Sequence, residues 1–338
     1  MAQTADGAVP AAAESQDWRW RAVCCFLGLT PVGPLLAWMI GIGSYTVWWL
    51  FFTTPAMIAL VAIASWPGHL GRHPVLRRAM ISGTVGGIAA TLAYDFVRVP
   101  FVAGGFRLFS PIDSFGMLML NAHSSSPATE FAGWAAHFSD GVGFGIAYAM
   151  VALGRRWWFG PIYGVFLESM TLITPYAKVY GLVGHWDLIG LALGAHLVFG
   201  TPLGFIVRGG KKVTAELDEL SRKAAPGAIA ILLIGMMLWW RPWVAPTDLR
   251  TPAEVQSGVT VVIDNNKFVP EWTRIPSGGC IVVANHDHTD YVETGGPTKV
   301  PIKAGAQVRT CFTTTQIYRV QLSAKPYSGG FIMVDAAY

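Results

Sequence analysis

Charge is scarce in this sequence. Only 13% of its 338 residues are Asp, Glu, Lys or Arg, against about 25% in an ordinary soluble domain. Hydrophobic residues make up 53%, and the mean hydropathy is +0.44. This excludes a typical water-soluble enzyme and makes an integral membrane protein the default. The net charge is only +4, and no Lys/Arg-rich run is interleaved with aromatics, so nucleic acid is set aside as a partner. Cysteine is equally scarce. The four present form no CxxC and no Cys/His zinc spacing, and Cys24 and Cys25 lie in an apolar run as small hydrophobes. A nucleotide-binding loop and a nucleophile triad are also lacking.

What is there is long and apolar. Residues 1–17 are rich in Ala, Gln and Ser and read as a disordered tail. From Ala22 to Trp66 no residue is charged. That stretch is too long for one span or a cleaved signal peptide and right for two spans. Predicted spans lie at 22–42 and 45–66, with a break at "GIGS", then at 79–102, 131–153, 157–177, 187–207 and 226–244. The expected fold is therefore an α-helical polytopic bundle of about seven transmembrane helices over 18–244. Trp doublets at 48–49, 157–158 and 239–240 fall near predicted span ends, as interfacial aromatics do. Arg19, Arg21, Arg72, Arg77, Arg78, Arg155, Arg156, Arg208, Lys211, Lys212, Arg222 and Lys223 all fall on one side of such a bundle. The other side has little beyond Arg107 and Lys178. This bias predicts a bacterial inner or plasma membrane protein with a cytoplasmic N-terminus and an extracytoplasmic C-terminus. Within the long segment 103–130, "PIDSFGMLMLNA" reads as a short helix on the membrane surface. Met117, Met119 and His123 there are soft-ligand types whose simplest reading is packing.

After a Pro-containing linker (245–257) the pattern changes. "GVTVVID", "CIVVAN", "VRTCF", "YRVQL" and "FIMVD" alternate or run apolar between turn residues, as short strands of an all-β sandwich do. The stretch "VVIDNNKFVPEWTRIPSGGCIVVANHD" and the closing "YRVQLSAKPYSGGFIMVD" resemble the cupredoxin family over about a quarter of the chain, which implies a Greek-key sandwich at 258–338. A type 1 copper site in that family needs two His, one Cys and a weak axial Met. The positions that match the ligand spacing here hold Tyr291, Leu322, Lys325 and Ser328, which argues against type 1 copper. His286 and His288, in "NHDHTD", would point to one side of a strand and are a weaker surface metal candidate. Cys280 and Cys311 lie in two predicted strands and are a disulfide candidate outside the cytoplasm.

Ionisable residues within spans are costly and raise a functional question. Asp95 and Arg98 lie in the third span, His137 and Asp140 in the fourth, Glu168 in the fifth and His196 in the sixth. "AHFSDGVGFGI" and "AHLVFGTPLGFI" both read Ala-His-x3-Gly-x3-Gly, as His137/Gly141/Gly145 and His196/Gly200/Gly204. This is suggestive of an internal duplication with both histidines at similar depth, and the small residues permit close helix contact. Asp140 is one turn below His137 on much the same face. His137, Asp140, Glu168, His196 and Asp95 are thus candidates to hold a metal ion or a haem, to carry protons or to contact a quinone. Simpler roles are an Asp95–Arg98 ion pair and histidines hydrogen-bonded across the bundle.

Two functions follow. The favoured one is an accessory or structural subunit of a larger redox or metal-dependent membrane complex, anchored in the bilayer beside partner subunits, with a copperless β-domain as a docking module. The other is a membrane oxidoreductase or metal-handling protein working at the intramembrane site.

Overall fold

The computed structural model describes residues 11–65, 73–103, 111–239, 258–322 and 329–335. Prolines and glycines shape the first apolar stretch. Helix α1 (Ala11–Gly28) begins inside the stretch read as a tail. It ends in a 3-10 turn at Thr30–Val32, where Pro31 and Pro34 remove backbone donors, and α2 (Gly33–Met39) resumes. Gly41 and Gly43 adopt φ of +75° and +69° at the "GIGS" break, and the Ser44 hydroxyl accepts from the Val47 N–H to start α3 (Tyr45–Ser65). The remaining helices are α4 (Pro74–Ala103), α5 (Ile112–Leu120), α6 (Pro127–Ala152), α7 (Phe159–Ile173), α8 (Pro175–Val179), α9 (Trp186–Arg208) and α10 (Gly210–Trp239).

Among the described residues four helical segments are long and apolar enough to cross a membrane: Trp18–Met39, Tyr45–Ser65, Pro74–Phe101 and Trp186–Arg208. The count of seven is therefore reached only by adding α6, α7 and α10. Helix α6 has the length but carries Glu130, His137 and Asp140. Helix α7 has only 15 residues, about 22 Å at 1.5 Å per residue. Helix α10 runs unbroken from a polar first half through Pro226, so the stretch predicted as a span from residue 226 is, as far as residue 239, the second half of a longer helix; residues 240–244 and the linker 245–257 lie outside the described residues. Trp49 is buried, because the β-domain rests above it, and is no interfacial anchor.

The helices pack through glycine. Cβ atoms added to Gly141 and Gly145 of α6 would fall onto Thr91, Gly83 and Gly87 of α4. Cβ atoms added to Gly200 and Gly204 of α9 would fall onto Gly160 and Trp157, at and just before the start of α7. Both Gly-x3-Gly stripes thus serve the close contact their spacing predicts, each with a different partner.

Strands β1 (Val259–Asp264), β2 (Lys267–Pro276), β3 (Cys280–Asn285), β4 (Tyr291–Thr294), β5 (Val300–Ile302), β6 (Gln307–Cys311), β7 (Ile317–Leu322) and β8 (Gly329–Asp335) form a nearly closed sheet in the order β5-β4-β7-β8-β2-β1-β3-β6. Asn265 and Asn266, at φ of 52° and 63°, make the tight β1–β2 turn, since Asn tolerates the left-handed region. Alternation sends Val261, Ile263, Ile281, Val283, Val320 and Leu322 inward. Cys280 and Cys311 stand opposite each other in β3 and β6 and form a disulfide.

Strand β8 is buried at every residue. Ile332 and Val334 enter the sandwich core. Phe331 and Met333 point the other way, into a second core shared with Leu35, Trp38, Tyr45, Trp49, Phe115 and Trp272. The continuous apolar run "GFIMV" is thus a strand with two buried faces. That second core also corrects the reading of α5. It does not lie on a surface: Ile112, Ser114 and Phe115–Met119 are all buried, because α5 is wedged between the bundle and the β-domain. Met117 and Met119 pack there.

Polar contacts fix the wedge. Residues 123–125 cover the open half of the β2 edge: Ser124 bridges Thr273, the Arg274 N–H donates to His123 O at 2.8 Å and the Ser125 N–H donates to Trp272 O at 3.1 Å. The Arg274 side chain, buried, donates to Asp335 Oδ2 at 2.6 Å and to Asn121 Oδ1 at 2.7 Å. Removing one partner of a buried ion pair costs about 3–5 kcal/mol. Arg274→Ala is therefore expected to release the β-domain from α5, read as rapid protease cleavage within 240–257 under conditions that leave the wild type intact. Equal protease resistance would show that Arg274 does not hold the dock.

Candidate functional site

Close helix approach decides where the intramembrane acids and histidines meet. Asp95 stands two turns beyond Gly87 on α4, and His137 stands one turn before Gly141 on α6. With those glycines in contact, His137 Nε2 lies 3.2 and 3.1 Å from the two Asp95 oxygens. Arg98 Nε and Nη2 donate to Asp95 Oδ1 at 3.0 and 2.9 Å from one turn along the same helix, and the guanidinium lies 5.6 Å over the Trp134 ring. In the second helix pair, Glu168 of α7 faces His196 of α9, with Glu168 Oε2 at 3.2 Å from His196 Nδ1. The same Nδ1–H donates to Ala192 O at 3.0 Å.

The two pairs share a wall. The Tyr94 ring is 5.8 Å from the His137 ring and 5.0 Å from the His196 ring. His137, His196, Glu168, Asp140, Tyr94 and Arg98 line one cavity of about 360 Å³ whose other walls are mostly apolar. Ile112 and Phe115 of α5 contribute to the lining from the β-domain side. One oxygen of Asp140 is buried without a hydrogen-bond partner among the described residues. Four of the five bundle candidates line this cavity, and Asp95 reaches it through its contact with His137. The partner of His137 is Asp95 rather than Asp140, since the glycine contact brings α4 against this face of α6. Sequence reasoning missed Tyr94, and it found the helix α5 without its place beside the cavity; neither stands in a pattern that distinguishes it from ordinary packing.

The arrangement can hold a small molecule and exchange protons with it. Each histidine is oriented by a carboxylate through one ring nitrogen, as metal-ligating histidines often are. Among the described residues, however, no group of three or more His, Cys, Asp or Glu is placed to hold a metal ion.

The β-domain positions that match copper-ligand spacing behave differently. Tyr291 is buried at the start of β4, its hydroxyl 2.7 Å from Asp287 Oδ2 and 2.8 Å from Asn266 Oδ1. Asp287 also accepts the backbone N–H groups of Asn265 and Asn266 at 2.8 and 2.9 Å. Those hydrogen bonds, Asn266's foremost, hold its carboxyl below the usual range. Leu322 is buried in the sandwich core and has no donor atom. Lys325 and Ser328 lie outside the described residues. Tyr291 and Leu322 do not fit a type 1 copper donor set, and no chemistry is derived through that metal. His286 and His288 are both exposed, beyond the end of β3 rather than in it. The Asn285 side chain turns the chain there, accepting the Asp287 N–H at 3.0 Å and donating to Thr289 O at 2.9 Å, so strand alternation does not bring the two rings to one side. They border an open surface cleft with Asp287 and Gln307.

No protein-family model matches the chain, and no curated protein matches it. Several solved structures do. A copper-containing nitrite reductase from Thermus scotoductus SA-01 is 25% identical over 24% of this chain and 23% of its own, with a TM-score of 0.22. A purple cupredoxin from Nitrosopumilus maritimus is 18% identical over 23% of this chain and 99% of its own, with a TM-score of 0.21. A point mutant of amicyanin, in its Cu(I) form, is 17% identical over 25% of this chain and 88% of its own, with a TM-score of 0.22. This chain spans about a quarter of the nitrite reductase's length. The neighbours are cupredoxins or contain copper by name, and each likeness involves about a quarter of this chain.

One β-domain group is oddly placed. Glu293, two residues after Tyr291, is fully buried, and neither carboxylate oxygen has a hydrogen-bond partner among the described residues. Burial raises its pKa from 4.5 to about 7. The folded state therefore keeps this proton while the unfolded chain releases it. The stability that Glu293 contributes is fully present below about pH 4.5 and is lost as pH rises through 7. At about 1.4 kcal/mol per unit, unfolding of the sheet in the full-length chain is expected to become easier by roughly 2–3 kcal/mol between pH 5 and 7. Glu293→Gln should flatten that slope in denaturant titrations followed by far-ultraviolet circular dichroism. An unchanged slope in the variant would assign the pH dependence to another group.

Proposed function

We propose that this is an integral membrane protein that binds a small molecule in the outer half of its helical bundle and exchanges protons with it through the His137–Asp95 and His196–Glu168 pairs. The observation that carries this reading is convergence. Four helices each send an ionisable side chain to one mostly apolar cavity, where an isolated charge would be expensive. A subunit that only anchors a docking domain needs no such cavity. The proposal includes seven spans, with α6, α7 and α10 crossing alongside the four that qualify by composition. It also includes a cytoplasmic N-terminus, an extracytoplasmic β-domain without type 1 copper and direct contact with lipid. Support comes from the one-sided Lys/Arg distribution and from the packing of α6 against α4 and of α7 against α9.

A second reading, an accessory subunit whose β-domain docks other membrane subunits, draws on Tyr291 and Leu322. Both are committed to internal packing, which leaves the domain as a structural module.

The protein purified in mild detergent separates these readings. Organic extraction with mass spectrometry is expected to recover a stoichiometric small molecule that is lost in His137→Ala, His196→Ala and the cavity-filling Phe199→Trp. A Soret band or stoichiometric metal lost in the same histidine variants would replace this reading with a haem or metal centre. A colourless, metal-free and ligand-free protein that co-purifies with other membrane subunits would favour the accessory role and remove the cavity reading.

A further inference from the structure

The likeness between α6 and α9 extends to the helices they pack on. On α4, Gly87 is followed eight residues later by Asp95; on α7, Gly160 is followed eight residues later by Glu168. A Cβ added to Gly87 would meet Gly141 O, and one added to Gly145 would meet Gly87. A Cβ added to Gly160 would fall onto Gly200 O and meet Gly204. In both pairs the glycine eight residues before the acid approaches the carbonyl of the first glycine of the stripe, although Gly141 meets Thr91 where Gly200 meets Gly160. Each histidine is also the eleventh residue of its helix, counting from Pro127 and from Trp186. The chain therefore holds two copies of one hairpin, Gly-x7-acid followed by Ala-His-x3-Gly-x3-Gly. The first copy is lengthened by the insertion that carries α5. Both copies run in the same sense, so they relate as parallel repeats, and membrane proteins built this way place their ligand at the repeat interface. Here that interface is the cavity.

Two further observations limit what the cavity takes. The first is hydrogen-bond polarity. His137 uses Nε2–H on Asp95, and His196 uses Nδ1–H on Ala192 O, with Glu168 Oε2 3.2 Å from the same nitrogen. In the neutral imidazole the other ring nitrogen of each is an acceptor, so the two arms suit two donors. The second is access. Leu29, Phe166 and Met170 line the cavity and are also exposed on the outside of the bundle, where lipid would lie. A ligand of about 360 Å³ with a tail can therefore reach the site sideways from the bilayer.

We propose, resting on the cavity reading above, that this is a two-armed site for a lipid-soluble hydroquinone-class molecule, one ring hydroxyl donating to His137 of the first hairpin and the other to His196 of the second. The ring lies among the apolar walls, and the tail leaves between Leu29 and Phe166.

The test is equilibrium binding to the full-length protein in nanodiscs, anaerobically, read by quenching of intrinsic tryptophan fluorescence. The probes are 2-decylhydroquinone and its monomethyl ethers, which lack one hydroxyl donor. His137→Asn and His196→Asn are each expected to weaken the diol about tenfold, the size of one lost hydrogen bond in a buried site. The ethers should bind the wild type about tenfold more weakly than the diol. They should lose at most a few-fold more in either single variant, because they can turn round to the remaining histidine, and should lose binding in the double variant. Where an asparagine variant fails to give a monodisperse protein, Asp95→Asn and Glu168→Gln test the same arms through their positioning carboxylates, with a smaller loss expected for the diol and the same insensitivity for the ethers. An ether that binds as tightly as the diol, or dependence on one histidine alone, would overturn the two-armed site and leave the cavity reading standing. Absence of binding by every probe, or binding indifferent to both histidines, would overturn the hydroquinone class; if extraction from the wild type also yields no bound molecule, the cavity reading falls with it.

Discussion

Glycine-on-glycine contact between α4 and α6, and between α7 and α9, is the constraint on which the rest of the bundle depends. A buried charge in an apolar bundle is costly without a partner, and for Asp95 and Glu168 a histidine comes from a neighbouring helix at close range. The Asp and Glu side chains are short, so they reach a histidine across the helix gap only where the backbones nearly touch. Gly87 against Gly141 and Gly145 brings Asp95 to His137; Gly160 against Gly200 and Gly204 brings Glu168 to His196. Larger residues at these positions would separate the pairs and leave carboxylates uncompensated, which links a packing defect directly to an electrostatic one.

The β-domain is joined to this bundle by a different device. A sheet usually shows one face to a core and one to solvent, but β8 serves two cores. Ile332 and Val334 complete the sandwich, while Phe331 and Met333, with Trp272 stacked on Phe331 at 4.2 Å, complete the interface with α2, α3 and α5. The backbone of residues 123–125 then satisfies the β2 edge, which would otherwise be open to pairing with another chain. Burial and edge protection are thus achieved by the same insertion.

Much of this was legible in the sequence, and the gaps have physical causes. The runs "GVTVVID", "CIVVAN", "YRVQL" and "FIMVD" all appear as strands because alternation is a local property. Strands β2, β4 and β5 are not among those runs: β2 carries Pro270 and does not alternate in burial, and β4 and β5 are four and three residues long, too short to show a period. The histidine helices stood out through a repeated motif. Their partner helices did not, because a glycine and an acid eight residues apart are ordinary until a contact makes them equivalent. For the same reason His137 was read with Asp140 on its own helix, whereas the structure pairs it with Asp95 on another. The surface reading of α5 followed from its apolar sequence; nothing local to it reveals that a second domain, more than a hundred residues later, covers its other side.

Helix α5 also shows how the β-domain bears on the bundle. Its Ile112 and Phe115 face the cavity, while Met117, Leu118 and Met119 pack into the core that includes Trp272 and Phe331. The Ser114 hydroxyl meets Tyr180 at 2.7 Å, and the Thr46 hydroxyl donates to Leu118 O at 2.8 Å. One nine-residue helix is therefore both the roof of the cavity and the floor of the β-domain. A roof held from above closes the cavity on the β-domain side, while Leu29, Phe166 and Met170 leave a way in from the flank of the bundle. Through Ile112 and Phe115, the packing of the β-domain on this helix reaches the wall of the cavity that His137, Glu168 and His196 also line.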